Sequence, residues 1–430
     1  MALVQRPEIR ETLPSVNPAV ASLVALVVAI VLSMMTRINV GLVGLVMAWL
    51  VGAFVADLPT GTIIGGFPTS LFLTLTGMTL LFAAAESNGT IERLARRAVA
   101  LARGSARSVP IFFFIVACVL SAVGPGAVSS VALVVPLAMA IGRELRVPAM
   151  LTALVVANGA NAGNLSPISA VGVIANSRMA EAGLGGHEGL VMMANLLASA
   201  IVAAAAYVGL GGWRLRRTEV RMAAVEETAF SSAHRLTIVV VALWIAGVLF
   251  FELPLGLSAF AGAVLLVAVG AAEETASIRR TPWGIILMVC GMTTLVALLE
   301  QTGGMELFTG LLSSVATPGT INGVIALVTG AISLYSSTSG VVLPAFLPTV
   351  PGIVQQLGGG DPLAISLSIN VGSSLVDVSP LSTIGALCVA AVADTGQGHV
   401  LFRQLLAWGL TMALVGAVLC QLGAGMLAGL

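Results

Sequence analysis

Two short polar stretches interrupt a chain that is otherwise strongly apolar. The first reads Asn158-Gly159-Ala160-Asn161-Ala162-Gly163-Asn164-Leu165-Ser166-Pro167. Asparagines at this spacing would line one face of a helix, but the glycines and the proline predict that the helix unwinds here. An unwound stretch frees carbonyl oxygens, which together with amide and hydroxyl oxygens suit a hard cation such as Na⁺. The half-helix expected from Ser166 onward offers unpaired N–H groups, which suit an anion. The second stretch, Asn370-Val371-Gly372-Ser373-Ser374-Leu375-Val376-Asp377-Val378-Ser379-Pro380, puts Asp377 where the first has Asn164. Asp377 is the one carboxylate expected at mid-membrane depth, where a charge without a partner is costly. Cation ligand and proton carrier are its competing roles, against a buried protonated acid that bonds a neighbour. For the asparagines the plain alternative is glue between helices.

The elements that position these residues must be membrane spans. Of 430 residues, 58% are hydrophobic and 9% charged, and the mean hydropathy is +1.06. Soluble proteins hold roughly 45–50% apolar and about 25% charged residues. The gap excludes a soluble enzyme, a nucleic-acid binder and a disordered chain, so lipid rather than nucleic acid is the expected surroundings. The four cysteines lie in apolar runs without CxxC or CxxH spacing, which fits small core residues. His187, His234 and His399 form no metal spacing, and no Walker loop, HExxH or paired aspartates are found. No organic cofactor and no enzymatic activity are expected. Residues 1–17 carry Arg6, Glu8, Arg10 and Glu11 and do not resemble a cleaved signal peptide.

A crossing needs about 20 apolar residues. Clear spans are expected near 18–35, 38–56, 68–86, 188–212, 236–252, 256–272, 282–300 and 404–428. Stretches 148–180 and 362–393 are long enough to cross but are broken in the middle. Stretches about 108–142 and 320–357 centre on Gly124-Pro125-Gly126 and Ser336-Ser337-Thr338-Ser339 and read as re-entrant hairpins. The fold class expected is an all-α polytopic membrane protein with about ten transmembrane helices, two re-entrant hairpins and two broken helices.

Charge orients this layout. All 19 basic residues are arginine. With the N- and C-termini outside a bacterial cytoplasmic membrane, 16 of the 19 arginines fall in inner loops, and only Arg6, Arg10 and Arg178 fall outside. Residues 90–104 read as an inner interfacial helix, with an arginine-free counterpart near 305–317. Glu86 and Glu300 end matching spans at opposite faces and read as caps or hinge contacts.

The chain also repeats itself. Gly77-Met78-Thr79, followed by Glu86 and Gly89, recurs as Gly291-Met292-Thr293, followed by Glu300 and Gly303. Ser166-Pro167-Ile168-Ser169-Ala170-Val171-Gly172 recurs as Ser379-Pro380-Leu381-Ser382-Thr383-Ile384-Gly385, and Ser129 through Pro136 resembles Ser337 through Pro344. The divisions expected are an N-terminal segment 1–17, a first repeat 18–212, a cytoplasmic linker 213–235 and a second repeat 236–430. Each repeat has an odd number of crossings, so the second sits upside down relative to the first. Inverted repeats with broken helices are typical of secondary transporters, with the site between the repeats at the midplane. No Lys or Arg is expected at mid-membrane, Arg178 near an outer end being the nearest exception. The charge of an organic anion would then be met by helix N-termini, hydroxyls and a co-bound cation.

Gly65-Gly66-Phe67-Pro68-Thr69-Ser70-Leu71-Phe72-Leu73-Thr74-Leu75, Asn88-Gly89-Thr90-Ile91, Gly124-Pro125-Gly126-Ala127-Val128 and Gly163-Asn164-Leu165-Ser166-Pro167-Ile168-Ser169 resemble the ion-transporter superfamily. The resemblance is to its divalent-anion–sodium symporters, nearest the malonate and dicarboxylate carriers, and runs over about residues 18–428. It implies a homodimer whose protomers each hold a scaffold and an elevator-like transport body, with tips and breaks together binding substrate and Na⁺. Other symporters of that group carry Ser-Asn-Thr at both hairpin tips; here the tips read Gly124-Pro125-Gly126 with Ser129-Ser130, and Ser336-Ser337-Thr338. Expected substrate contacts are Gly126, Ser166, Pro167, Ser337, Thr338, Ser379 and Pro380. Expected Na⁺ ligands are Ser129, Asn158, Asn161 and Asn164 on one side, and Ser337, Ser374 and Asp377 on the other. The function expected is Na⁺-coupled uptake of a small dicarboxylate such as malonate or succinate. The rival is an H⁺-coupled carrier or a cation/proton antiporter titrating at Asp377; a passive channel is a further alternative.

Overall fold

The computed structural model describes residues 17–36, 38–100, 104–105, 107–124, 126–215, 219–220, 230–334, 336–392 and 395–429. The expected N-terminal segment, most of the expected linker, and Arg37, Arg103 and Pro125 lie outside the described residues. Ten helices form the first half: α1 (Pro18–Met35), α2 (Val40–Phe54), α3 (Thr60–Gly65), α4 (Thr69–Ser87), α5 (Thr90–Ala100), α6 (Val109–Ala122), α7 (Gly126–Glu144), α8 (Ala149–Gly163), α9 (Ala170–Glu181) and α10 (Glu188–Gly209). The second half runs α11 (Ser232–Phe251), α12 (Leu255–Ala268), α13 (Glu274–Arg280), α14 (Trp283–Thr302), α15 (Gly304–Ser313) and α16 (Ile321–Ser333). It continues with α17 (Leu343–Phe346), α18 (Val350–Leu357), α19 (Pro362–Val376), α20 (Thr383–Ala390) and α21 (Thr395–Ala428). A two-residue antiparallel pairing joins Gly104–Ser105 to Glu219–Val220.

The order repeats. Ser232 follows Pro18 by 214 residues, Trp283 follows Thr69 by 214, and Thr383 follows Ala170 by 213. Packing obeys the same exchange: α2 lies on α14 and α12 on α4, while α1 meets α15 and α11 meets α5. The repeated Gly-Met-Thr motif has its cause in these crossings. A Cβ on Gly291 would lie 2.0 Å from the carbonyl oxygen of Gly41, and one on Gly77 would lie 2.1 Å from that of Gly256. Each motif glycine therefore lets a helix of one half touch the backbone of the other, the small-residue contact that membrane helices favour.

Among the described residues, six helical stretches are long and apolar enough to cross a membrane unaided, and eight shorter apolar helices accompany them. The chain is a multi-pass, all-α membrane protein built as two inverted repeats. Local signals set the helix starts: Asn17 and Asn39 cap α1 and α2, and Asp361 caps α19 ahead of Pro362. The hairpin α6–α7 packs on α8, and its counterpart α16 packs on α19 and α21. Phe113, Val131 and Leu154 fill the first of these bundles, with Cys388 of α20 among them. The two bundles meet where α20 packs on α7 and α8, and α19 on α8 and α10.

Candidate substrate and ion site

Each hairpin ends in a turn that its sequence dictates. At the first, Gly124 has φ 148° and Gly126 φ 79°, values that residues with a Cβ rarely adopt. A Cβ on Gly124 would also lie 1.8 Å from the Phe82 ring. At the second, the Ser337 hydroxyl accepts from Gly340 N–H at 3.1 Å and opens a π-helical turn, Thr338–Val342. Pro344, Pro348 and Pro351 then deny the arm its regular N–H donors, so it passes from π through α17 and a 3₁₀ turn to α18.

The breaks are built alike. α8 ends at Gly163 and α9 starts only at Ala170, capped by Ser169; α19 ends at Val376 and α20 starts at Thr383, capped by Ser382. The half-helices therefore begin four residues beyond Ser166 and Ser379, because Pro167 and Pro380 sit in intervening turns. The Ser169 hydroxyl donates to the carbonyls of Asn164 and Ser166 and accepts from Gly172 N–H; Ser382 does the same toward Asp377, Ser379 and Gly385. Gly172 and Gly385 are needed because a Cβ there would lie 1.9 Å and 2.1 Å from the carbonyl oxygens of Ser166 and Ser379.

Break and tip are joined in both halves. Asn164 Oδ1 accepts from Ala127 N–H at 3.0 Å. At the equivalent place, the hydroxyls of Thr338 and Ser333, 2.6 Å from one another, lie beside the Asp377 carboxylate. Between the two joints is a cavity of about 450 Å³, within the range of small-ligand sites. Gly126, Ser129 and Asn164 border it from the first half, and Ser337 and Asp377 from the second. The first turns of α9 and α20, at Ala170 and Thr383, face it with their N–H ends, while Leu75, Ile174, Ile286 and Met288 make an apolar wall. No arginine is among the lining residues.

The remaining expected residues lie behind this lining. Thr338 is buried at 2% exposure, its hydroxyl bonded to that of Ser333. Ser166, Pro167, Ser379 and Pro380 shape the turns without bordering the cavity. Asn158, Asn161 and Ser374 are buried; Asn161 reaches Ser374 of α19 and Asn195 of α10, while Asn158 bonds within α8. Sequence reasoning missed Thr79, Ser339, Ser382 and Thr383, which line the cavity. Thr79, Ser382 and Thr383 fall inside the repeated motifs, so the repeat carried a signal for them.

A second cavity, about 440 Å³, lies between Gly66, Pro68, Arg178, Thr293 and Glu300. Arg178 is 3% exposed and bonds Glu181 at 2.5 Å. Two of its residues, Pro68 and Thr293, are the repeat equivalents of Pro282 and Thr79, which line the first cavity. The inverted repeat thus produces a related recess on the opposite side of the scaffold.

Residues 16–164 match the sequence model of the dicarboxylate carrier protein MatC N-terminus. That span runs from the start of α1 to the first helix break and includes the first hairpin. No curated protein matches the chain. Among solved structures, the chain is similar to the transporter YdaH of Alcanivorax borkumensis, described as having an unusual topology. The two share 16% identity over 96% of this chain and 99% of that one, with a TM-score of 0.60. At that identity the likeness is one of fold.

Proposed function

We propose that this protein is a secondary active transporter that takes up a small dicarboxylate, malonate- or succinate-like, coupled to Na⁺. The observation that carries the reading is the 450 Å³ cavity in which both hairpin tips and both helix breaks converge. Its chemistry suits an anion that arrives with cations. The N–H ends of α9 and α20 attract carboxylates, and amide, hydroxyl and carbonyl oxygens near Ser129 and Asn164, and near Ser337 and Asp377, suit Na⁺. A co-bound cation offsets anionic charge that no arginine meets in this cavity. The match of the first half to the dicarboxylate carrier model supports the same substrate class.

In this reading the packed body of hairpins and broken helices moves against the scaffold of α1, α2, α4, α11, α12 and α14. The central cavity reaches Val40 and Pro282, and the related recess lies by Pro68 on the other side. Paired recesses suit alternating access, in which one body moves against the other around the site; here the movement would be elevator-like. The arginine distribution supports a cytoplasmic position for the side of Val40 and Pro282, and a homodimer joined through its scaffolds would hold that scaffold still.

One observation favours a second reading, H⁺ coupling. Asp377 borders the cavity beside the hydroxyls of Thr338 and Ser333, with no arginine in the lining, a setting in which a carboxylate can take up and release a proton. Uptake of labelled malonate and succinate into proteoliposomes, with Na⁺ and H⁺ gradients imposed separately, tests both. Accumulation driven by Na⁺ alone supports the main reading. Accumulation driven by H⁺ alone moves the coupling to Asp377, and no uptake of either acid overturns the substrate class.

A further inference from the structure

We infer that a monovalent-cation site, separate from the substrate cavity, lies where α8, α10 and α19 meet, with Asn195 on α10 completing it. The inference deepens the ion-coupling reading but rests on a different set of atoms. Two bonds cross between the helices, and a third lies within α19. Asn161 Nδ2 donates to Ser374 O at 2.8 Å, Asn195 Nδ2 donates to Asn161 O at 2.5 Å, and Asn370 Nδ2 donates to Ser366 O at 2.9 Å. One turn before Asn161, Asn158 Nδ2 donates to Leu154 O at 2.8 Å.

In every case a backbone carbonyl claims the amide nitrogen, so chemistry rather than choice sets which way each amide points. The opposite atoms, Oδ1 of Asn158, Asn161, Asn195 and Asn370, are buried and have no hydrogen-bond partner, and neither does Ser374 Oγ. The four asparagines are 0% exposed and Ser374 is 1% exposed. Orphan acceptors are rare in protein interiors because each forfeits its hydration without return. Three of these atoms belong to residues that hydrogen bonds tie together across three helices, Asn161, Asn195 and Ser374, and the other two lie one turn earlier on α8 and α19; acceptors so placed suit a species that presents only positive charge.

One bound water satisfies two of these acceptors at most, whereas one cation can be shared by all that reach it. Neutral oxygens without a carboxylate argue against a divalent ion, which needs anionic ligands. The helix ends supply the remaining attraction. α8 and α19 both terminate beside this contact, at Gly163 and Val376, so two negative dipole ends converge on it. An ion here would tie the two breaks together and order both before the solute is bound, and Na⁺ has the charge and the ligand preference required.

The test is binding of ²²Na⁺ to the purified full-length protein in detergent without solute, which reads ion binding independently of any transport. The wild type should bind Na⁺. Asn195→Ala should weaken the affinity of one site by roughly tenfold or more, and Asn195→Asp, which keeps the shape and adds a charge, should tighten it and make it pH-dependent. Ser374→Ala, which deletes a single hydroxyl, should weaken it as well and serves if the Asn195→Ala variant does not fold. No Na⁺ binding by the wild type, binding unchanged in Ser374→Ala and the folded Asn195 variant, or equal losses in Asn195→Asp and Asn195→Ala would overturn the inference. Retained Na⁺ binding with no uptake of any diacid would instead overturn the transport reading alone.

Discussion

Asn161 and Ser374 occupy equivalent places in the two halves, and the side-chain amide of the first donates to the carbonyl of the second at 2.8 Å. The pseudo-twofold relation of the repeats therefore passes through a hydrogen bond between the two broken helices. Beyond that bond each break lies against its own hairpin tip, Asn164 bonded to Ala127 and Asp377 beside Thr338, and residues of both tips and both breaks border the cavity.

The Asn164 joint should be the more sensitive of the two to loss of an acceptor. Asn164→Leu leaves the buried Ala127 N–H without a partner, at a cost of about 1–3 kcal/mol, and removes an oxygen from the cavity. Uptake should fall at least about tenfold, a loss equivalent to 1.4 kcal/mol. Asn164→Asp keeps an acceptor toward Ala127 and should retain more activity. Initial uptake rates of the two variants, compared with their thermal melts, check the ordering.

Asp377→Asn separates the two coupling schemes. If Asp377 is a Na⁺ ligand, the variant should need a higher Na⁺ concentration for half-maximal uptake while its pH profile stays that of the wild type. If Asp377 carries the proton, wild-type uptake should decline as pH rises past the point where the carboxylate stays ionised, and the variant should lose that dependence. Uptake measured across pH at fixed Na⁺, and across Na⁺ at fixed pH, distinguishes the outcomes.

The glycine crossings predict stability rather than specificity. Gly291→Ala forces a methyl group to within 2.0 Å of the Gly41 carbonyl, so α2 and α14 must part. An overpacking cost of about 1–3 kcal/mol is expected. Gly61→Ala, which meets nothing within 4 Å, should stay within about 0.5 kcal/mol of the wild type. Melting of both variants in one detergent gives the comparison.

Most of this architecture was legible in the sequence, and the reason is the repeat. Gly-Met-Thr and Ser-Pro-x-Ser-x-x-Gly recur because each position meets a backbone constraint that exists twice: Gly77 and Gly291 at a crossing, Gly172 and Gly385 against a break. Asp377 stood out because a carboxylate in an apolar stretch has few reasons to be there. Other features left no such trace. Asn195 sits alone in an unbroken span, and only the packing of α10 on α8 brings it to Asn161. The three-residue spacing of Asn158, Asn161 and Asn164 suggested one shared ligand set, whereas the helix ends at Gly163 and turns Asn164 alone into the cavity. The short helices α3 and α13 were also missed, being under three turns and without a pattern of their own.

The two serine caps give a prediction at the substrate itself. Ser169→Ala and Ser382→Ala each remove a side chain that accepts from the start of a half-helix, Gly172 N–H at 3.0 Å and Gly385 N–H at 3.4 Å. The loss of such a cap costs about 0.5–2 kcal/mol and lets the first turns of α9 and α20 fray where an anion would be held. Both variants should bind malonate more weakly, with Ser169→Ala the larger effect because its bond is the shorter. Titration of malonate against protein melting temperature at saturating Na⁺ reads this directly.

The central claim is that one cavity, closed by two tips and two breaks, carries the solute from side to side. Counterflow tests it most directly: proteoliposomes loaded with unlabelled malonate are diluted into a trace of labelled malonate, with no ion gradient. A carrier with a single alternating site predicts transient accumulation of label above equilibrium, saturable by external malonate and lost in Asn164→Leu. Label that only equilibrates, without overshoot or saturation and unaffected by that substitution, would contradict the account.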